Sequence, residues 1–248
     1  MIEGNLQTVI GVATAMMFGG FCKGASGISL ALISVSLAAV FVDIPIAVAL
    51  MTVPVLIANI WQICSNKFTD EAWKSHWPVY FAIIPGVGIG AKVLTSVDPF
   101  LVSGIVGVIV IGFAILIYTQ PNWKLSTSTA RRISVPAGLA GGLVGGISGF
   151  LPPVLMYMVA LKLPKEKFIA AIGIAYLTGV IALMLFLATY NFLTWEIILW
   201  SALAALPMFA GQLAGHKARQ HIAENPFRLM VLILMLFSGA NLIRKAFS

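Results

Sequence analysis

The sequence predicts an all-α, polytopic integral membrane protein made of two copies of one unit in inverted orientation. Three observations predict it. Hydrophobic residues make up 60% of the chain and charged residues 9%, with a mean hydropathy of +1.02, whereas an average soluble domain carries about 25% charged residues. Apolar runs of membrane-crossing length, about 17–25 residues each, follow one another from residue 6 to residue 243 with short polar breaks. Sliding the chain against itself by 122 positions brings Gly19-Gly20 onto Gly141-Gly142, Gly24 onto Gly146, Ser26-Gly27 onto Ser148-Gly149, Trp73 onto Trp195 and Pro85 onto Pro207. Coincidences of Gly, Trp and Pro at one constant offset mark a duplication.

The copies are expected at 1–119 and 133–248, joined by a polar linker at 120–132 that carries Pro121, Arg131 and Arg132. Each opens with an apolar stretch too long for one ordinary span, 6–41 in the first and 133–163 in the second. Three conventional spans follow each: 44–64, 77–94 and 99–119, then 168–190, 194–215 and 227–243. The start of the first stretch has the length of a signal-peptide core. It lacks a basic beginning and a small-residue cleavage site, so it is expected to be retained.

Positive charge decides how the long stretches cross. If each were a single tilted helix, Lys and Arg would divide evenly between the two sides. If each bends back to the side it entered from, Lys23, Lys67, Lys74, Lys124, Arg131, Arg132, Lys162, Lys165, Lys167, Lys217, Arg219 and Arg228 share one side. Only Lys92, Arg244 and Lys245 then lie opposite, the arrangement that the positive-inside bias selects. A returning stretch plus three spans is an odd number of crossings, so the second copy is inverted. The basic loops are expected in the cytoplasm and both chain ends outside it, in a cell membrane of bacterial inner-membrane type. Inverted repeats with glycine-interrupted segments at matching positions build many secondary transporters, whose substrate binds near the midplane.

The expected breaks read Gly19-Gly20-Phe21-Cys22-Lys23-Gly24-Ala25-Ser26-Gly27 and Gly141-Gly142-Leu143-Val144-Gly145-Gly146-Ile147-Ser148-Gly149. Free N–H groups at the start of a half-helix, aided by its dipole and by the hydroxyls of Ser26 and Ser148, suit an anion. Irregular backbone at such depth is tolerated only where protein or a wet cavity covers it. The same glycines could instead serve close helix packing. Lys23 is either the counter-charge for an anion or one more inside-positive residue at an aqueous tip. Thr52 and Tyr176 adjoin the small-residue stretches expected to face the breaks. The candidate substrate-binding set is thus Lys23, Gly24, Ser26, Gly27, Gly146, Ser148, Gly149, Thr52 and Tyr176. No Asp or Glu falls in the middle of a span, which argues against a buried carboxylate proton relay.

At these motifs the chain resembles the sulfite exporter TauE/SafE family, membrane proteins associated with movement of sulfite, sulfonates and related anions. The resemblance covers essentially the whole chain. It rests on Gly24-Ala25-Ser26-Gly27 and Gly146-Ile147-Ser148-Gly149, on Ala47-Val48-Ala49 and Ala170-Ala171, and on Gly86, Gly90 and Lys92 with their counterparts Gly211, Gly215 and Lys217. Members typically continue from the Gly-x-Ser-Gly element into a run of glycines. This chain reads Ile28-Ser29-Leu30 and Phe150-Leu151-Pro152 instead. The resemblance implies a carrier or exporter of small anions, partnered by its substrate and the lipid bilayer.

Other classes are less well supported. The net charge of +7 comes without a basic, aromatic soluble face, so nucleic acid is not an expected partner. Cys22 and Cys64 have no metal-ligand spacing, and neither a metal nor an organic cofactor is expected. Gly-x-Ser-Gly also occurs in rhomboid-like intramembrane serine proteases, which need a histidine to accept the serine proton. His76 lies at a loop edge and His216 and His221 are expected in a connection after a span, so no enzyme is expected. An anion channel is the remaining alternative.

Overall fold

The computed structural model describes residues 5–26, 30–65, 70–119, 124–218 and 224–247. Every regular element among them is a helix: α1 (Leu6–Ser26), α2 (Leu30–Ala38), α3 (Ile44–Leu50), α4 (Thr52–Ser65), α5 (Asp70–Ser96), α6 (Pro99–Thr119), α7 (Thr127–Ser148), α8 (Pro152–Ala160), α9 (Lys165–Thr189), α10 (Trp195–Ala218) and α11 (Glu224–Ala246). Six segments among the described residues are long and apolar enough to cross a membrane: Leu6–Ala25, Ile44–Cys64, Lys74–Ser96, Pro99–Leu116, Glu166–Thr189 and Trp195–Ala218. This is a multi-pass membrane protein. The expected site residue Gly27, and Lys67, Pro121, Arg219 and His221, lie outside the described residues.

The helices form two compact units, one made of Met1–Pro54, Ser96–Gln120 and Thr194–Ser248, the other of Val55–Thr95 and Pro121–Leu193. Both cut across the expected copies 1–119 and 133–248, because each pairs a helix from one copy with a helix from the other.

In the first unit α1 lies against α10 through backbone. A Cβ on Gly20 or Gly24 would strike the Met208 and Gln212 carbonyls, and one on Gly211 or Gly215 would strike those of Met17 and Phe21. Lipid gives helices no hydrophobic reason to associate, so contact depends on how closely the chains approach, and glycine permits the closest approach. The helix α2 has nine residues, about 13 Å at 1.5 Å per residue, far short of a bilayer core of about 30 Å. Its residues 31–36 are all buried, so protein covers the short helix on every side. Beyond α2 the chain returns to the start of α1, where a Cβ on Gly11 would meet the Phe41 ring at 2.5 Å. The stretch 6–41 therefore doubles back. In the same unit α6 meets α11 where a Cβ on Gly107 would lie 2.8 Å from the Gly239 carbonyl and one on Gly239 would lie 3.1 Å from that of Gly107.

The span 44–64, expected as one helix, is stepped at Met51, where α3 ends and α4 begins. Pro54 has no N–H to offer the Leu50 carbonyl four residues back, which leaves that oxygen without its helical partner. Ser201 of α10 takes it. The Ser201 hydroxyl donates to Leu50 O at 2.9 Å and accepts from Val53 N at 3.1 Å. Asp43, which precedes α3, pairs with Lys245 near the end of α11 at 3.1 Å.

In the second unit α5 and α7 repeat the glycine-backed contact. Cβ atoms on Gly86 and Gly90 would strike the Leu139 and Leu143 carbonyls of α7, and those on Gly142 and Gly146 would meet the Ile83 and Val87 carbonyls of α5. The helix α7 is capped at its start by Ser126, whose hydroxyl accepts from Thr129 N at 3.2 Å. After α8 the chain is back beside the start of α7. The Tyr157 hydroxyl donates to Ala130 O at 3.3 Å and Leu125 N to Ala160 O at 2.9 Å. The stretch 133–163 thus doubles back as the first does. Side chains tie α9 in: Tyr80 donates to Ala171 O at 3.3 Å and Gln62 to Ile169 O at 3.1 Å. At its far end Tyr190 donates to Gly88 O at 3.2 Å while the Lys92 ammonium sits 4.9 Å from the Tyr190 ring centre.

Candidate functional site

The break between α7 and α8 is built from four consecutive choices of residue. Gly149 adopts φ 72°, a left-handed conformation that costs other residues a steric penalty, and its N–H closes the last turn on Gly145 O at 2.8 Å. Phe150 and Leu151 then run non-helically, with Leu151 at φ −109°, ψ 61°. Pro152 and Pro153 start α8 at its first two positions, where a missing N–H breaks no helical bond. The prolines have a chemical consequence that the motif alone did not convey. They withhold two of the amides that an anion at a helix start would use, so Val154 is the first residue of α8 with an N–H to give.

Ser148 is buried, and its hydroxyl donates to Val144 O at 2.8 Å with the Phe150 carbonyl at 3.3 Å. Its proton is held by main-chain acceptors, whereas a nucleophilic serine donates to a base. Across the break Tyr176 of α9 stacks on Phe150, ring centres 6.5 Å apart and planes at 24°. The Tyr176 hydroxyl is buried and faces the Leu151 backbone without completing a hydrogen bond. Ser148 and Gly149, and Tyr176 from α9, are thus gathered around one helix break. Gly146 is not part of that break; it faces the α5 backbone.

In the first unit α1 ends at Ser26 and α2 begins at Leu30. Lys23, in the last turn of α1, is only 8% exposed. Burial at that level costs an ammonium several kcal/mol unless other groups compensate, on the order of the effective penalty for a buried ion. Gly24, like Gly146, is committed to packing, against Gln212 of α10. Thr52 is buried too, and its hydroxyl donates to Ala49 O at 2.7 Å across the α3–α4 step. The step brings it beside Ser201's partners Leu50 and Val53.

Three residues escaped the sequence reading. Ser201 and Tyr80 act across the chain on main-chain carbonyls, and Gln212 of α10 is buried with its Oε1 unpaired. Pro54 was the one local signal for the first of these. His216, expected in the connection, is still helical and packs in the last turn of α10, its amide 2.8 Å from a Cβ built on Gly24. Among the described residues no group of three His, Cys, Asp or Glu could hold a metal ion.

Compared with protein families, residues 12–242 match the one described as "Sulfite exporter TauE/SafE". Comparison with curated proteins and with solved structures gave no match.

Proposed function

Since the chain belongs to the sulfite exporter TauE/SafE family, a family of membrane transporters, we propose that it is a secondary carrier of a small oxyanion, sulfite or an organosulfonate, bound at the two Gly-x-Ser-Gly breaks. The α7–α8 break carries the proposal. There a non-helical stretch is accompanied by a buried tyrosine hydroxyl that completes no hydrogen bond, and an unsatisfied buried polar group costs about 1–3 kcal/mol. A bound oxyanion offers that hydroxyl an acceptor. In this reading Ser148 and Gly149 form the chain reversal at the α7–α8 break, and Lys23 and Ser26, with Gly27 outside the described residues, remain the candidates at the other Gly-x-Ser-Gly element. Gly24 and Gly146 hold the broken segments against α10 and α5. Thr52 acts on its own main chain at the α3–α4 step.

The inverted arrangement of copies 1–119 and 133–248 belongs to the same proposal. It is supported by both long stretches doubling back, and by which groups share an end. Lys92 sits beside Tyr190, and Lys245 beside Asp43, as an outside placement of Lys92 and Lys245 requires. Leu125, next to Lys124, bonds Ala160, close to Lys162, as an inside placement of those lysines requires. Both chain ends then lie outside the cytoplasm in a cell membrane.

The test is uptake of labelled sulfite and short sulfonates into liposomes holding the purified protein, with Ser26→Ala and Ser148→Ala alongside. Saturable uptake that falls in both variants supports the reading. Undiminished uptake in both would remove the breaks as the site.

A further inference from the structure

One end of the second unit gathers positive charge, and main-chain contacts fix which residues share it. Cβ atoms on Gly138, Gly142 and Gly146 would strike the carbonyls of Val79, Ile83 and Val87 in turn, so α5 and α7 run parallel in fixed register. Followed back toward their starts, that register puts Lys74 of α5 level with Arg132 and Ile133 of α7. The returning limb closes on the same place. Leu125 N donates to Ala160 O at 2.9 Å and the Tyr157 hydroxyl to Ala130 O at 3.3 Å, which sets Lys124 and Arg131 beside the turn that ends α8. Lys162 stands in that turn at φ 51°, and α9 starts just beyond it with Lys167 in its first turn.

Lys74, Lys124, Arg131, Arg132, Lys162 and Lys167 are all exposed. Asp70, Glu71 and Glu166, at the starts of α5 and α9, offset part of their charge. Among the described residues, however, no carboxylate pairs with Lys124, Arg131 or Arg132. Like charges held together by main-chain bonds repel, and an anion placed among them relieves the repulsion. Guanidinium groups also suit a phosphate, which they can grip through two parallel hydrogen bonds.

The surface beside the cations says which anion. On α7 the exposed face passes from Arg132 to Val135 and Leu139, 45% and 40% exposed. On α5 it passes from Lys74 to Trp77 and Phe81, 53% and 55% exposed, whose rings meet edge to face at 6.0 Å. Exposed tryptophan beside a basic helix end marks the level of lipid headgroups. On both helices charge thus gives way to apolar surface within about one turn. A soluble anion answers only the charged part of such a surface, whereas a phospholipid answers both.

We infer that this end of the second unit is a docking site for an anionic phospholipid. Arg131 and Arg132 on one limb of the returning stretch and Lys162 on the other share its phosphate, and its acyl chains run along the exposed apolar face of α7. The lipid then bridges the two limbs where Leu125 and Ala160 already join them. None of these cations belongs to the candidate substrate set, so the inference stands apart from the carrier reading.

The test is non-denaturing mass spectrometry of the purified full chain in neutral detergent, titrated with phosphatidylglycerol or with phosphatidylcholine of the same acyl chains. The parent is expected to hold phosphatidylglycerol about tenfold or more tighter, since each cation near an anionic lipid contributes about fivefold. On the same basis Arg131→Gln/Arg132→Gln should weaken phosphatidylglycerol about 25-fold and Lys162→Gln about fivefold, with phosphatidylcholine unchanged. Arg131→Lys/Arg132→Lys, which keeps the charge, should retain most of the binding. Lys92→Gln, which removes a cation from the far end of α5, should leave it intact. The inference fails if the parent holds both lipids equally, if the double Gln variant keeps the parent's affinity, or if Lys92→Gln weakens binding as much. It fails also if inorganic phosphate at equal concentration displaces phosphatidylglycerol, because the patch is then a site for free anions.

Discussion

Ser201→Ala should destabilise the protein far more than the loss of one hydroxyl suggests. The side chain is fully buried, and its oxygen both donates to Leu50 O and accepts from Val53 N at the point where Pro54 interrupts the helical ladder. Two intramolecular bonds contribute about 1 kcal/mol each, and removing one partner strands a buried donor or acceptor at about 1–3 kcal/mol. The Val53 amide can regain a weaker local bond within the first turn of α4; the Leu50 carbonyl cannot, because its helical donor is a proline. The expected loss is about 2–3 kcal/mol, roughly 30- to 150-fold in the unfolding equilibrium at about 1.4 kcal/mol per tenfold. Unfolding by increasing sodium dodecyl sulfate in mixed micelles, read by tryptophan fluorescence, gives the number. Ser36→Ala is the control, since its hydroxyl only adds a second bond to a carbonyl inside α2; it should shift stability by no more than about 0.5 kcal/mol. Ser201→Thr, which keeps the oxygen, should recover most of the loss. If Ser201→Ala behaves like Ser36→Ala, the step at Met51 is not held by Ser201 and the explanation is wrong.

Gly146→Ala sets a Cβ 2.5 Å from the Val87 carbonyl and 2.7 Å from Ala91 N, atoms of a helix backbone that cannot turn aside, and should cost about 1–3 kcal/mol. Gly112→Ala, with nothing within 4 Å of its Cβ, should be neutral or stabilising in the same unfolding assay. Tyr176→Phe removes a hydroxyl that bonds nothing in the protein, so stability should hold within about 0.5 kcal/mol while sulfite binding weakens about three- to tenfold. For topology, single cysteines placed by Lys92→Cys, Lys245→Cys and Lys162→Cys in a chain without Cys22 and Cys64 should label with an impermeant thiol reagent as follows. The first two react from one face of the membrane and the third from the other, and labelling of all three from one face would refute the inverted arrangement.

The spans were legible because hydropathy over some twenty residues is a strong, local signal, and every span expected from sequence coincides with a helix or helix pair. The α7–α8 break was legible as well, since Gly149 followed by Pro152-Pro153 has few other uses. What sequence could not apportion was the work of the glycines. Gly24 and Ser26-Gly27 look alike as a motif, yet Gly24 faces the α10 backbone; a small residue serves packing and ligand equally well until its neighbour is known. The step at Met51 was missed because its cause is split. Pro54 frees a carbonyl locally, but the group that rescues it, Ser201, lies 148 residues from Val53. Ser148 was expected to offer its hydroxyl outward, and the helix claims it through Val144 O. The unpaired state of Gln212 and Tyr176 is likewise a property of their surroundings, which no one-dimensional pattern records.

Counterflow tests the central claim most directly. Liposomes holding the protein are loaded with unlabelled sulfite and diluted into a trace of labelled sulfite, with the membrane potential collapsed. A carrier that binds the anion in its broken segments will concentrate label transiently above equilibrium, saturate with external sulfite, and yield to sulfonates as competitors. Label that only equilibrates, in proportion to concentration and regardless of the internal load, would contradict a carrier and point to a channel.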